Sequence, residues 1–489
     1  MKSTRIKNYL WVALSISIAL LSGNTAAQNA KPIDASKARI ADYWTPERRA
    51  KAIPRDLVID PRGLGYLRRP DGSLVPYGHD IAAQTTPGNQ SISPFGKPSG
   101  GSHDTKPPTI SNMNPAAGAT IGASYTFSAT VRDRSGVASV TFNIQKAGST
   151  VHSFAATQSL GSDTWSVSRQ GLTDGDWSWS IEAKDGSGNG NVGSSEIVAF
   201  KVSTSGGTVT NAEWQTGGAV QTAAGRIYFE MPNNAQRKGP WTGYVCSGTV
   251  GSDGTMARSV IITAAHCVYD DAHKAFARNV MFIPDQAHTT GSGTDLTCSN
   301  DPMGCWVPSF GVVDVNWTTR TFPDNIAWDY AFYVVNDSGA HAPGFNPTSS
   351  DALDRAAGSL PVSFKVPSVD LPDSSADFTY ALGYSYSDDP KLMYCAEDMT
   401  TEGTANWWLP GCALSGGSSG GPWVQPMDTT AGSGPIISVN SWGYTNSPGM
   451  AGPKFYGTST SCVFESAKST SFGSVTSLDG DAGKAVTCP

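Results

Sequence analysis

The sequence predicts an all-β protein built from unlike parts. Glycine and proline together supply 84 of the 489 residues, and charged residues only 15%. That composition is poor in long charged helices and rich in turns. Short segments of alternating apolar and polar residues recur along the chain, with turn clusters between them. All eight cysteines (Cys246, Cys267, Cys298, Cys305, Cys395, Cys412, Cys462 and Cys488) fall in the second half, so the two halves differ chemically. A net charge of −7 offers no basic surface to nucleic acid.

Residues 1–27 read as a signal peptide. Lys2, Arg5 and Lys7 give a positive start, Leu10 to Leu21 an apolar run broken by two serines, and Thr25-Ala26-Ala27 a small-residue cut site. The run of 12 residues is shorter than the roughly 20 that a spanning helix needs. The mature chain is therefore expected to be secreted, extracellular or periplasmic, with no membrane span. In that oxidising compartment an even number of cysteines reads as disulfides, with roughly a hundred possible pairings.

Residues 28–105 form a leader that ends in a linker. Thr45 as N-cap, Pro46 at the first helical position and Glu47 in the first turn predict a helix start. From Thr85 to Thr105 the chain is rich in Gly, Ser and Pro, the composition of an exposed connection.

Residues 106–203 change character. Tyr125 to Val131, Ser139 to Ile144, Trp177 to Ala183 and Ile197 to Val202 read as strands of period two. Asp133-Arg134-Ser135-Gly136 and Asp185-Gly186-Ser187-Gly188-Asn189-Gly190 supply turns. The spacing predicts a β-sandwich, and the pattern resembles the bacterial Ig-like domains appended to secreted enzymes. Asp185 lacks the bidentate Glu and the ligand spacing of a calcium loop. It reads as a turn residue, and no metal site is expected.

A second short connection, residues 204–210, leads into residues 211–489. Here an apolar strand, Ile261-Ile262-Thr263, runs into Ala264-Ala265-His266-Cys267, and Gly416-Gly417-Ser418-Ser419-Gly420-Gly421-Pro422 follows much later. Each alone has a bland reading: a histidine beside a structural disulfide, and a flexible loop. Together they meet one chemical need. A serine hydroxyl is a weak nucleophile and requires an adjacent base. Glycines let the backbone turn its N–H groups toward a developing oxyanion. Gly417-Ser418-Ser419-Gly420-Gly421 also fits the elbow of α/β-hydrolases, which place their histidine after the serine. All seven histidines precede Ser419, which excludes that order, and no H-E-x-x-H supports a metallopeptidase.

Thr263-Ala264-Ala265-His266-Cys267 and Gly417-Ser418-Ser419-Gly420-Gly421-Pro422 resemble the two signature segments of the chymotrypsin-like (trypsin-fold) serine peptidases, over roughly residues 220 to 470. The resemblance implies a chymotrypsin-like double β-barrel preceded by the Ig-like β-sandwich. Among seventeen aspartates between His266 and Ser419, Trp328-Asp329-Tyr330-Ala331-Phe332 resembles the family's Asp-x-Ala strand. Asp324, after a proline and with no strand behind it, is the runner-up. The implied triad is His266, Asp329 and Ser419, in the order of this group. Ser419 is the nucleophile, His266 the base and Asp329 its orienting partner, with the Gly417 and Ser419 amides as oxyanion hole.

The resemblance also implies a Cys246–Cys267 bridge. Cys298 and Cys305 are close enough to pin one loop, Cys395 and Cys412 would brace the loop before Ser419, and Cys462 and Cys488 remain. The specificity pocket is expected from Ala413 and Leu414, from Ser441-Trp442-Gly443, and from Lys454 in Pro453-Lys454-Phe455-Tyr456. No Asp stands at the pocket floor, which argues against an Arg or Lys preference. Lys454, where the family usually has Gly, could instead pair an acidic side chain or reach out to solvent. Ser418 replaces the Asp that trypsins carry before the nucleophile, which points to the bacterial and fungal secreted branch that activates by shedding a leader. Ile227 to Glu230 then reads as a first barrel strand rather than as a new N-terminus after Arg226. The expected function is a secreted serine endopeptidase acting on protein or peptide substrates, with no cofactor. The competing reading is a non-catalytic extracellular binding or adhesion protein that works through the Ig-like domain, whose partner the sequence does not name.

Overall fold

A computed structural model describes residues 33–82, 104–121, 125–158, 163–169, 172–173, 175–202, 208–291, 296–346, 350–369, 377–475 and 482–488. The expected signal peptide lies outside the described residues. The fold is all-β, with few and short helices.

The sandwich forms where alternation predicted it. Its strands include Tyr125–Arg132, Val137–Lys146, Gly175–Asp185 and Val198–Val202. One sheet pairs Tyr125–Arg132 with Thr109–Asn114 and Thr164–Arg169. The other pairs Gly175–Asp185 with Val137–Lys146, Val198–Val202 and Val192–Ser194. Inward positions are apolar because side chains alternate across a strand. Trp179 sits at the centre, with ring centroids 5.3 Å from both Phe127 and Phe142. Its Nε1 donates to the Pro115 carbonyl at 3.1 Å, so the indole is buried without an orphaned polar atom. An aromatic core of this kind holds the sandwich without disulfides. The Asp185 turn is closed by its own bonds, the carboxylate accepting from Ser187 Oγ at 2.9 Å and from Asn191 Nδ2 at 2.7 Å. Asp104 and Asp133 bring carboxylate oxygens within 4.8 Å of it.

The cysteine-bearing region is built on long, deeply buried strands. The principal sheet runs Arg278–Pro284, Ala224–Pro232, Trp241–Gly251, Arg258–Thr263, Ala331–Asn336, Phe310–Asp314 in spatial order. Arg278–Pro284 and Phe310–Asp314 are not paired to each other among the described residues. A second group comprises Phe378–Gly383, Met393–Asp398, Pro422–Val424 and Ile436–Val439. A third joins Asn406–Leu409, Met450–Pro453 and Trp442–Tyr444. Arg226 lies inside the strand Ala224–Pro232 and is 1% exposed, so the Arg226–Ile227 bond is a structural element out of reach of a protease.

Four disulfides form: Cys246–Cys267, Cys298–Cys305, Cys395–Cys412 and Cys462–Cys488. The first ties the strand Trp241–Gly251 to the segment that carries His266.

The leader is not an independent unit. A helix Pro46–Lys51 starts behind Thr45, as its sequence predicts, and the chain then enters the sheets of the cysteine-bearing region. Ile53–Pro54 pairs with Trp241–Gly251, and Asp56–Ile59 pairs with Trp442–Tyr444. Both pairings are parallel. Buried ion pairs dock it further, Arg49 with Asp301 at 3.0 Å and Arg55 with Asp270 at 3.4 Å. No helix among the described residues is long and apolar enough to cross a membrane.

Candidate active site

His266 and Ser419 lie on loops that the packing forces together. Strand Arg258–Thr263 ends in small residues, which lets the Ala265–Cys267 turn pack with no exposed surface. Gly420 meets it from the other side with φ +82°, and a Cβ there would lie 2.1 Å from Thr263 Oγ1. Only glycine fits such an approach with a left-handed backbone. The Cys267 sulfur lies 3.8 Å from the Ser419 carbonyl oxygen, and that oxygen accepts from the Ser247 amide at 2.7 Å.

Asp329 follows the short turn Ile326–Trp328 and precedes the strand Ala331–Asn336. Its Oδ1 accepts from the His266 backbone N–H at 2.8 Å, and its Oδ2 meets His266 Nδ1 at 2.7 Å. A carboxylate accepts, so Nδ1 is the donor, an assignment made from the bonding network. Nε2 is buried and has no hydrogen-bond partner. The Ser419 hydroxyl likewise makes no hydrogen bond among the described residues, so Ser419 and His266 are not hydrogen-bonded to each other through their side chains. Such bonds often tighten only around a reacting substrate.

The backbone at Gly417 turns with φ +95°. Its carbonyl is held by Ser247 Oγ at 2.9 Å. Among the described residues, the amides of Gly417 and Ser419 donate to no acceptor. Backbone N–H groups without partners are the kind of donor that can receive a negative oxygen.

A cavity of about 210 Å³ opens beside Ser419, lined by Ala413, Leu414, Ser441, Trp442 and Gly443 among others. Five of the six residues expected to form the pocket are among them. Lys454 does not line the cavity; its ammonium lies 4.4 Å over the Trp407 ring. An ammonium over an aromatic face is a cation–π contact.

The sequence reading missed three features. Ser441, taken only as pocket wall, donates its hydroxyl to Asp329 Oδ2 at 2.5 Å. Asn440, noted only for not being a histidine, braces the nucleophile loop. Its Nδ2 donates to the Leu382 and Ser418 carbonyls at 2.8 and 3.0 Å, and its Oδ1 accepts from Trp423 Nε1 at 2.8 Å. Asp56, from the leader, lines the same cavity. Burial raises its carboxyl above the usual range, opposed by Arg68 and His266 nearby.

Comparison with known proteins identifies one part of the chain. Residues 108–189 match the family model of the bacterial Ig domain, and the sandwich is such a domain. The match ends before the candidate site begins. Solved structures with likeness include fibronectin(III)-like modules of Clostridium thermocellum CbhA. These are 18% identical, cover 20% of this chain and 97% of that one, and give a TM-score of 0.16. CopC from Methylosinus trichosporium OB3b is 15% identical, covers 19% and 92%, and gives 0.17. A tetra-tandem repeat in the extending region of a large adhesion protein is 15% identical, covers 32% and 44%, and gives 0.16. No curated protein matches the chain.

Proposed function

We propose that this chain is a secreted serine endopeptidase, with a chymotrypsin-like pair of β-barrels in residues 211–489 and the bacterial Ig domain as an appended module. The observation that carries the proposal is the state of His266. Its Nδ1–H is committed to Asp329 at 2.7 Å, while Nε2 is bare and buried. That is the tautomer a general base needs, since the imidazole must accept on the side facing the nucleophile. The Gly417 and Ser419 amides, without acceptors, supply the second requirement.

The division of labour follows. Ser419 Oγ attacks the scissile carbonyl carbon, and its proton passes to His266 Nε2. The Gly417 and Ser419 amides take the charge that develops on the carbonyl oxygen. His266 then returns the proton to the leaving amine, which leaves an acyl-enzyme on Ser419 for water to hydrolyse. Asp329 stays ionised and stabilises the imidazolium. The pocket contributes no acidic or basic side chain from residues 211–489, so an uncharged side chain preceding the cut is the expected preference. The cysteine count, the four bridges and the N-terminal export signature support a location outside the cytoplasm.

The test is covalent capture of Ser419 by a fluorophosphonate, followed by mass mapping of the labelled peptide. Labelling that Ser419→Ala removes supports the peptidase. A chain that stays unlabelled after its leader has been removed, while still folded, would favour the non-catalytic binding protein.

A further inference from the structure

Arg226 is a buried cation that no part of the site described above employs. It sits inside the strand Ala224–Pro232, opposite Ser247 of the neighbouring strand, and is 1% exposed. A charge taken out of water needs close partners. Arg226 has one for each arm of its fork. Nη1 donates to the Tyr384 carbonyl at 2.5 Å, and Nη2 pairs with Asp389. Gln286 Nε2 donates to the same Asp389 oxygen at 3.0 Å. The guanidinium carbon also lies 5.6 Å from the centre of the Tyr384 ring, which is itself fully buried.

The segment held in this way, residues 384–386, is what the nucleophile loop rests on. The Tyr386 amide donates to the Gly416 carbonyl at 2.8 Å. The Tyr384 amide donates to Ser247 Oγ at 2.8 Å, and Ser247 Oγ donates to the Gly417 carbonyl at 2.9 Å. The carbonyls before and after the Gly417 Cα are thus both tied to one segment. The Gly416–Gly417 peptide is trans, so its N–H points away from its carbonyl. Drawing the Gly416 carbonyl to Tyr386 turns the Gly417 N–H to the opposite side, where it meets no acceptor among the described residues. The approach is close. A Cβ on Gly417 would lie 2.9 Å from Arg226 Nη1 and 3.0 Å from the Tyr384 oxygen.

We propose that Arg226 is a positioning residue for the oxyanion hole: by holding the Tyr384 carbonyl it fixes segment 384–386, which fixes the Gly416–Gly417 peptide with its N–H free for the oxyanion. This rests on the peptidase reading above. Without that hold the peptide has a second state. Turned over, it presents a carbonyl where the N–H stood, and a carbonyl repels the charge that an amide stabilises. A lysine cannot replace the arginine in full, because one ammonium does not reproduce a planar fork that reaches two partners at once.

The test compares Arg226→Met, Arg226→Lys and Asp389→Asn with the parent, all in the enzyme as secreted. Hydrogen exchange at the Tyr386 amide reports whether the segment still holds Gly416, and it does not depend on catalysis. Steady-state kinetics and the rate of fluorophosphonate labelling of Ser419, both per folded molecule, report the hole. Losing one oxyanion donor costs about 10²–10³ in kcat, so a hole formed only part of the time should lower kcat and labelling by about 10- to 100-fold in Arg226→Met, with KM within about twofold. Exchange at Tyr386 should quicken more than at buried amides of the strand Arg258–Thr263. Arg226→Lys should fall between Arg226→Met and the parent. Where Arg226→Met does not fold, Asp389→Asn, which alters the exposed partner of the pair, should move both readouts in the same direction. Parent-level kcat and labelling in folded Arg226→Met, or in both other variants where it does not fold, overturn the proposal and leave the peptidase reading standing. A rise in KM that accounts for the whole loss, with exchange at Tyr386 unchanged, also overturns it. A parent that is never labelled removes the peptidase reading and with it any part for Arg226 in catalysis.

Discussion

Ser441 Oγ donates to the same Asp329 oxygen that holds His266 Nδ1, at 2.5 and 2.7 Å. The carboxylate thus has three bonds, one to the His266 ring, one to the His266 amide and one to Ser441. A hydrogen bond to a charged group contributes about 1.5–3 kcal/mol. Ser441→Ala is expected to lower kcat by roughly ten- to a hundredfold, given that 1.4 kcal/mol is about tenfold. KM should change little if Ser441 acts through Asp329 rather than through the pocket. Asp329→Asn should cost far more, about 10⁴ in kcat in the general Ser-His-Asp template, because it inverts the tautomer. Steady-state kinetics on the leader-free enzyme checks both. A Ser441→Ala variant that raises KM alone would return Ser441 to a pocket role.

Gly420 offers a separate test of the nucleophile loop. Its φ of +82° and the 2.1 Å approach to Thr263 Oγ1 leave no room for a methyl group. Gly420→Ala is expected to lose about 2 kcal/mol or more of stability, combining backbone strain with overpacking. Ser419→Ala should leave the unfolding midpoint nearly unchanged while abolishing labelling. The contrast between the two, read by urea unfolding and probe labelling, separates a structural position from a chemical one.

What the sequence disclosed follows the range of each interaction. The sandwich strands were legible because alternation is local, and Trp179 falls on the inward phase of its strand. The segments that bring His266 and Ser419 together were legible because their glycines and small residues are dictated by close approach. The pairing of Asp56–Ile59 with Trp442–Tyr444 was not. The bond between Arg68 and Tyr444 spans 376 residues, and a parallel pairing at that distance leaves no periodicity in either segment. Arg49 and Arg55 look like ordinary surface charges until Asp301 and Asp270 are brought to them. Lys454 was named from its place in a motif, which says nothing of the Trp407 ring over which its ammonium lies.

Asn440 is a test of the brace beneath Ser419. It is 0% exposed, and its side chain makes three hydrogen bonds, to Leu382, Ser418 and Trp423. Removing it leaves the Trp423 indole N–H without its acceptor and takes a donor from the Leu382 and Ser418 carbonyls, of which Ser418 keeps the Gly421 amide at 2.9 Å. An orphaned buried group costs about 1–3 kcal/mol, so Asn440→Ala is expected to lose roughly 2 kcal/mol or more. Asn440→Asp keeps the acceptor for Trp423 but loses both donors, and should be equally damaging. Chemical denaturation of both variants decides this. A loss below about 1 kcal/mol in each would mean that the loop is held by its glycine contacts alone.

Glu397 should make stability depend on pH. It is buried behind the loop closed by Cys395–Cys412, and burial pushes its carboxyl up to about 8. The Gly411 amide, 2.8 and 3.0 Å from its two oxygens, pulls the other way and is outweighed. Asp398 adds a smaller upward push. In the unfolded chain a glutamate titrates near ~4.3. The folded state therefore holds this proton more tightly than the unfolded state does. Its stabilising contribution is complete below about pH 4, falls as pH rises toward about 8, and changes little beyond. The slope from this group reaches at most about 1.4 kcal/mol per pH unit. Glu397→Gln keeps the shape and has no proton to lose. Urea unfolding of both proteins at acidic, neutral and mildly alkaline pH should show the variant gaining steadily on the parent as pH rises. Stability curves that stay parallel across that range would mean that Glu397 is ionised in the folded protein and that the Gly411 amide bonds prevail over burial.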